Sequence, residues 1–363
     1  MQTIINGIDH LGEALKGSSK FLLVCDSSFP FLSIKHGIEQ VEVPYVVFDQ
    51  FTPNPLYGDV CKGVDLFQGT HCDAILAVGG GSSIDVAKCI KLFCKMDKDK
   101  LYLEQEYKDT GIKLIAIPTT AGTGSESTRY AVIYFDGKKQ SITHESIIPN
   151  VAILEPEVLK TLPLYQKKCT MMDALCQGIE SWWSVNSTDE SKLYSKIAIQ
   201  MIMQHWEEYI SHNTLEAAKG IMTAANYAGR AINITQTTAP HAMSYKLTSM
   251  YGLPHGHAVA LCLPLVWQHM IKHPEHCIDK RGATYLEETF HDIAHALGFT
   301  TPHEAAGFMQ NLLSTLGLGE PRAVHRNDDL ETLTTSVNPI RLKNNPAEIP
   351  SESMKDIYNS IIK

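Results

Sequence analysis

The sequence predicts two domains of different class: an α/β domain on a parallel sheet over residues 1–165, then an all-helical domain over residues 166–363. Three observations predict this. Up to residue 165, short aliphatic runs alternate with helix-period segments, as they do where helices wrap a parallel sheet. Two of those runs end in loops rich in glycine, serine and threonine. Beyond residue 165 helical periodicity continues and strand candidates are few.

Four runs read as buried strands: "KFLLVCD" (20–26), "VPYVVFD" (43–49), "DAILAVGG" (73–80) and "KLIAIPTT" (113–120). All are aliphatic or β-branched, and each ends in turn or polar residues. The segments "PFLSIKHGIEQ" and "PLYGDVCKGVDLFQGTH" between them carry apolar residues at helical spacing. The boundary falls at "TLPLYQKK". After it, "TMMDALCQGIESWWSV", with a helix beginning near Asp173, and then "DESKLYSKIAIQMIMQHWEEYI", "TLEAAKGIMTAANYAGRAINI" and "HGHAVALCLPLVWQHMIKH" read as helices. The aromatic pair in "SWWSV" suits either a subunit interface or the helical core.

The bulk composition bounds the function. With 44% hydrophobic and 20% charged residues the chain is of the globular class, and no apolar run reaches membrane-span length. The first twenty residues lack the basic segment and apolar core of a signal peptide. Nine cysteines, an odd number without paired spacing, point to free thiols in a reducing cytoplasm. A net charge of −9 with no basic stripe argues against a nucleic-acid partner.

"AILAVGGGSSIDVAK" is a strand, three glycines and a helix starting near Ser82. Glycines let a ligand approach the backbone, and a helix start offers free N–H groups, so a pyrophosphate fits, although the spacing is not GxGxxG. "PTTAGTGSEST" (118–128) ends a second strand with hydroxyl and backbone donors suited to phosphate or ribose. Either loop alone reads equally as a plain turn; two after neighbouring strands favour a dinucleotide at the carboxyl edge of the sheet. Asp26 ends the first strand, where an acid accepts from ribose hydroxyls and repels a 2′-phosphate, favouring NAD over NADP. Asn54, in the rigid "FTPNP" turn, is positioned to meet the same ligand.

Asp173 and Gln177 lie one helical turn apart, and the pair reads either as half of a metal site or as an ordinary polar face. His241 and His255 come together if one helix ends near Gly252 and the next starts at His255. From spacing alone such a histidine pair is more often structural.

In this order, "GGGSSIDVAK", "PTTAGTGSE", "DALCQGIESWWS" and "HAMSYKLTSMYGLPHG" resemble the iron-dependent (group III) alcohol dehydrogenase family, and the likeness runs to the tail, "NPIRLKNNPAEIPSESMKDIY". The resemblance implies an α/β dinucleotide-binding domain and a helical metal- and substrate-binding domain, the dehydroquinate synthase-like architecture, with the site in the cleft between them. It implies Gly80, Gly81, Ser82 and Asp85 at the pyrophosphate, and Thr119, Thr120, Thr123 and Ser125 along an NAD(H) cofactor. Asp26 and Asn54 would stand at the ribose and nicotinamide side, with Thr128, Lys139 and Leu162 as further contacts.

The family's metal ligands are an aspartate, a histidine four residues on, and two later histidines. Asp173, His241 and His255 match, and Gln177 stands where the first histidine belongs. A glutamine carbonyl is a neutral but harder and weaker ligand, suited to Fe²⁺, Zn²⁺ or Mn²⁺. The alternative is that Gln177 only hydrogen-bonds and three protein ligands remain. Tyr245 replaces a histidine found in many members and serves either to bond the substrate oxygen or to pack. Lys246 and Arg129 are cations suited to an anionic head group. With "DALCQ", they resemble the branch that reduces phosphonoacetaldehyde to 2-hydroxyethylphosphonate, or its sulfoacetaldehyde-reducing relative; the broader expectation is a short-chain alcohol dehydrogenase acting on small aldehydes. The family's habit implies a homodimer. Dehydroquinate-synthase-like lyases need more basic residues than this site supplies, and a metal-free NAD-binding regulator has only Gln177 and Tyr245 in its favour.

Overall fold

The aliphatic runs of the first half are strands because nothing in them needs water: Phe21–Cys25, Ala74–Gly79 and nearly all of Lys113–Pro118 are buried. In the computed structural model, which describes residues 2–363, the strands in chain order are β1 (Thr3–Asn6), β2 (Phe21–Cys25), β3 (Tyr45–Phe48), β4 (Ala74–Gly79), β5 (Lys113–Pro118), β6 (Tyr130–Phe135), β7 (Lys138–Thr143) and β8 (Val151–Leu154). Six form one parallel sheet in the order β1-β8-β5-β4-β2-β3. The other two, β6 and β7, pair as a separate antiparallel hairpin across an Asp136-Gly137 turn with both residues at positive φ. Four of the strands match the runs read from sequence. The hairpin, β1 and β8 do not appear in that reading.

Four helices accompany these strands: α1 (Leu11–Ala14), α2 (Lys35–Glu39), α3 (Tyr57–Gly69) and α4 (Gly81–Phe93). The last of them is buried along most of its length and packs on β4 and β5. The rest of the chain is helical: α5 (Leu164–Trp183), α6 (Asp189–Ser211), α7 (Leu215–Thr235), α8 (Ala239–Tyr251), α9 (His255–Lys272), α10 (Ala283–Ala296), α11 (Pro302–Leu316), α12 (Arg326–Thr335), α13 (Pro339–Leu342) and α14 (Ser351–Ile361). No described helix is long and apolar enough to cross a membrane. All nine cysteines are free thiols.

Two compact units result: residues 1–162 with 213–222, and residues 163–212 with 223–363. The start of α7 therefore counts with the α/β unit, which periodicity does not reveal. A second difference concerns α5. It begins at Leu164, directly after Pro163, so Asp173 lies mid-helix rather than near the start. The first turn of α5 is largely exposed, with Leu164 and Tyr165 facing outward and Lys167 buried, so it does not follow the apolar period that marks the rest of the helix.

From Met171 to Trp183 every residue of α5 is buried, as befits a helix enclosed by α6, α9 and α10. The tryptophan pair of "SWWSV" belongs to this core. Trp183 packs edge-on against Trp267 and Phe290, with ring centroids 5.7 and 6.0 Å away, and its indole N–H donates to Thr238 Oγ1 at 2.9 Å.

Candidate metal centre and cofactor loops

The metal-ligand candidates come together because two helix ends are shaped to reach α5. α8 closes on Gly252 in the left-handed conformation, and α9 restarts at His255 behind Pro254. The next residue, Gly256, rests on α5. A Cβ there would lie 2.1 Å from the Cys169 carbonyl oxygen and 2.8 Å from the Asp173 Cβ, so only glycine allows this approach. His255 is thereby set against Asp173. One ligand atom each from Asp173, His241 and His255 falls within 4.8 Å of the others.

Within this cluster His241 Nε2 is 3.3 Å from Asp173 Oδ1, and both atoms are buried without a hydrogen-bond partner. Orphaned buried atoms of this kind cost about 1–3 kcal/mol each. A divalent ion with bonds of about 2.0–2.2 Å holds its donors roughly 3.3 Å apart, so the donor set fits such an ion. Gln177, one turn beyond Asp173, is buried, and its amide hydrogen-bonds the Asp173 carboxylate. Its carbonyl oxygen Oε1 is buried and makes no hydrogen bond, so the amide can both bond Asp173 and turn an oxygen to an ion.

Glu180, two turns beyond Asp173 and absent from the sequence reading, completes the arrangement. It is fully buried, and its Oε2 accepts a very short hydrogen bond from His241 Nδ1. Its Oε1 accepts from the Thr238 backbone N–H and hydroxyl, both at 2.9 Å. With Nδ1 directed at Glu180, Nε2 is the ring nitrogen that faces Asp173, and it is the one left to ligate a metal once its proton is displaced. Burial alone would lower the His241 pKa; Glu180 and Asp173 outweigh it and raise it to about 9. Burial likewise opposes ionisation of Asp173, but the facing His241 imidazole and the charge of His255 hold its carboxyl below the ordinary value. Two carboxylates thus surround one imidazole, a surplus of negative charge that a cation offsets.

Tyr245 stacks on His255, with ring centroids 5.9 Å apart and 11° between planes, and His241 meets His255 edge-on at 5.2 Å. At about 100° per residue, Tyr245 shares a helix face with His241 while Lys246 is turned roughly 140° from it. Lys246 is half-buried. His257, two residues after His255, is engaged elsewhere: its ring bonds the Tyr165 hydroxyl at 2.9 Å and the Gly319 carbonyl at 3.0 Å.

In the α/β unit the two small-residue loops meet at the carboxyl ends of β4 and β5. Gly79 has φ +154°, and a Cβ there would lie 2.2 Å from Ser83 Oγ and 2.8 Å from Asp26 Oδ2. A Cβ on Gly80 would meet Thr120, and one on Gly81 would meet Thr123 at 3.0 Å. The glycine turn, the start of α4 carrying Gly81 and Ser82, and Asp26, Thr120 and Thr123 therefore form one backbone-lined cradle. Asp26 is held by Ser28 and by Ser83 Oγ at 3.1 Å. Buried Thr119 closes the cradle's floor through its N–H to the Gly79 carbonyl at 3.0 Å.

Asp85, Ser125 and Thr128 are occupied within the protein. Asp85 accepts from Ser125 Oγ at 2.6 Å and from the Val132 N–H at 2.9 Å, tying the second loop to α4. Thr128 is buried, and its carbonyl and hydroxyl both accept from the fully buried Lys88 Nζ, at 2.7 and 3.1 Å. Burial, opposed by Asp85 and Glu126, lowers the Lys88 pKa to about 8. Asn54 is exposed at φ 58°, Lys139 is exposed on β7, and Leu162 is half-buried at the unit's end. Arg129 forms a very short ion pair with Glu145 and lies over the Tyr130 ring.

Residues 4–156 match the family model "Iron-containing alcohol dehydrogenase", and residues 168–362 match "Fe-containing alcohol dehydrogenase family, C-terminal". The phosphonoacetaldehyde reductase of Streptomyces viridochromogenes is 32% identical over 301 residues, 78% of this chain and 75% of that protein. The 1,3-propanediol dehydrogenase of Citrobacter freundii is 31% identical over 296 residues, 76% of this chain and 74% of that protein. Among solved structures, the sulfoacetaldehyde reductase of Bifidobacterium kashiwanohense in complex with NAD+ superposes with a TM-score of 0.88 at 26% identity, covering 99% of this chain and 96% of that one.

Proposed function

The chain belongs to the iron-containing alcohol dehydrogenase family, and from that premise we propose that it reduces a short anionic aldehyde with NADH, phosphonoacetaldehyde to 2-hydroxyethylphosphonate in the first instance. The observation that carries the reading is the pair of buried, partnerless atoms, Asp173 Oδ1 and His241 Nε2, set 3.3 Å apart beside His255. A divalent ion held there supplies Lewis acidity toward a carbonyl oxygen, and the nicotinamide cofactor supplies hydride.

Everything else is the work of this chain. Asp173, His241 and His255 hold the ion, with Gln177 as fourth ligand through its carbonyl oxygen. Glu180 fixes the His241 tautomer, and Tyr245 keeps the His255 ring in plane. The glycine turn and the start of α4 bind the pyrophosphate through backbone N–H groups, with Thr120 and Thr123 alongside. Asp26 takes the ribose hydroxyls. Lys246 is the cation for the substrate's anionic group.

The anionic aldehyde is supported by the names of two relatives, the phosphonoacetaldehyde and sulfoacetaldehyde reductases. The second favours sulfoacetaldehyde as the alternative substrate. The test is NADH oxidation by metal-reconstituted protein on phosphonoacetaldehyde, sulfoacetaldehyde, acetaldehyde and butyraldehyde, with a chelated control. Turnover of one anionic aldehyde, lost on chelation, is the expected result. Preference for the uncharged aldehydes would remove Lys246 from the site and leave a general short-chain dehydrogenase.

A further inference from the structure

The last turn of α9 and the tight turn after it assemble a second group of metal-binding side chains, at the opposite end of the helix from His255. His269 and His273 are one helical turn apart, and Pro274–His276 form a 3-10 turn that folds back beside them. The three imidazoles pack together, with ring centroids 4.7 Å apart for His269 and His273, 5.1 Å for His273 and His276, and 5.5 Å for His269 and His276. Glu275 Oε1 lies 3.0 Å from His273 Nδ1. One ligand atom each of His273, Glu275 and His276 falls within 4.8 Å of the others. All three histidines are half-buried, and Glu275 is exposed.

Two atoms make this more than a stack of rings. His269 Nε2 and His276 Nδ1 are both buried without a hydrogen-bond partner. The His269 ring is bonded on its other side by the Glu348 backbone, the arrangement in which a backbone carbonyl orients a ligating imidazole. Ordinary packing gives no reason to crowd three imidazoles and leave two buried nitrogens unpaired. A cation on His273, Glu275 and His276 gives the His276 nitrogen a partner, with the His269 ring packed against both other imidazoles to join it.

We propose that His273, Glu275 and His276, joined by His269, bind a second divalent ion, with Zn²⁺ as the fitting species. Imidazole nitrogens with one carboxylate suit a borderline ion in a tetrahedral shell and do not suit Mg²⁺ or Ca²⁺, which take oxygen ligands. The ion is structural. The His276 carbonyl accepts from the Glu348 N–H at 2.8 Å, and Cys277 bridges to Ala347, so an ion on these side chains fastens the end of α9 and its turn to the chain preceding α14. The site shares no ligand with the Asp173 centre, and its occupancy leaves catalysis unchanged.

The test starts from metal-depleted full-length protein, titrated with Zn²⁺ and passed through gel filtration before elemental analysis. Two ions per chain are expected for the unaltered protein. His273→Gln combined with His276→Gln should retain one, with kcat unchanged after reconstitution. His241→Gln should also retain one, while losing activity. Zn²⁺ in excess over the first equivalent should raise the Tm of the unaltered protein and leave that of the double variant unmoved, a readout independent of turnover. A single retained ion in the unaltered protein, or a second one that survives the double substitution, overturns the site.

Discussion

Glu180 accepts the Nδ1 proton of His241 and is itself fixed by two donors from Thr238. It touches no reacting atom, and its contribution is to orient a ligand. Glu180→Gln is therefore expected to weaken divalent-ion binding by about 10–100-fold, the usual effect of removing such a partner. Competition against a chelating indicator measures this, and unchanged affinity would reduce Glu180 to packing. At Asp26, whose carboxylate lies beside the glycine turn, substitution by glycine removes the charge that repels a 2′-phosphate. The ratio of kcat/KM for NADPH over NADH should rise, and a constant ratio would sink the assignment. At this scale the sequence was partly readable. Asp173, His241 and His255 stood out through residue type and motif order. Glu180 did not, because its partner is 61 positions away and an acid two turns along a helix looks like any polar face. Arg129 was legible as a charge, but not its ion pair with Glu145.

Helix ends decide whether the ligands meet. A methyl group at Gly256 has nowhere to go against the Cys169 carbonyl and Asp173, so Gly256→Ala should push α9 from α5 at a cost of about 1–3 kcal/mol. Both Tm and metal content should fall together; a variant that keeps its metal would show that α9 yields without moving His255. On α4, Lys88 is buried with its pKa lowered to about 8 from 10.5. Between those values the unfolded chain keeps a proton that the folded protein releases, so this lysine's contribution to stability rises with pH across that window. Relative to Lys88→Met, the unaltered protein should gain in denaturant midpoint from pH 8 to pH 10. An unchanging difference would mean that Lys88 stays charged. Among the elements, the fully apolar strands were legible and the rest were obscured for physical reasons. β1 and β8 have four residues each, too few for a pattern. The β6–β7 hairpin did carry a signal, the Asp-Gly pair between alternating residues, and reading it would have found both strands. The start of α5 exposes Leu164 and Tyr165, so its buried apolar period begins late.

At the scale of the whole chain, cofactor and metal are assigned to different compact units. Ligands that bind only folded protein stabilise by mass action, about 2.7 kcal/mol at a hundredfold excess over Kd. In calorimetry NAD⁺ should therefore shift the unfolding of the α/β unit and the divalent ion that of the helical unit. A single transition moved equally by both would show that the units unfold as one. The division into a sheet half and a helical half was readable from periodicity. The attachment of residues 213–222 to the first unit was not, since a helix carries no mark of which neighbour it serves. One consequence follows from the Trp183 indole. It donates to Thr238, which donates to Glu180, which holds His241, so the indole stands three hydrogen bonds from the His241 imidazole. Filling the centre repolarises that chain, and the intrinsic ultraviolet emission of the protein becomes a gauge of its metal content, readable in a cuvette without substrate, cofactor or dye.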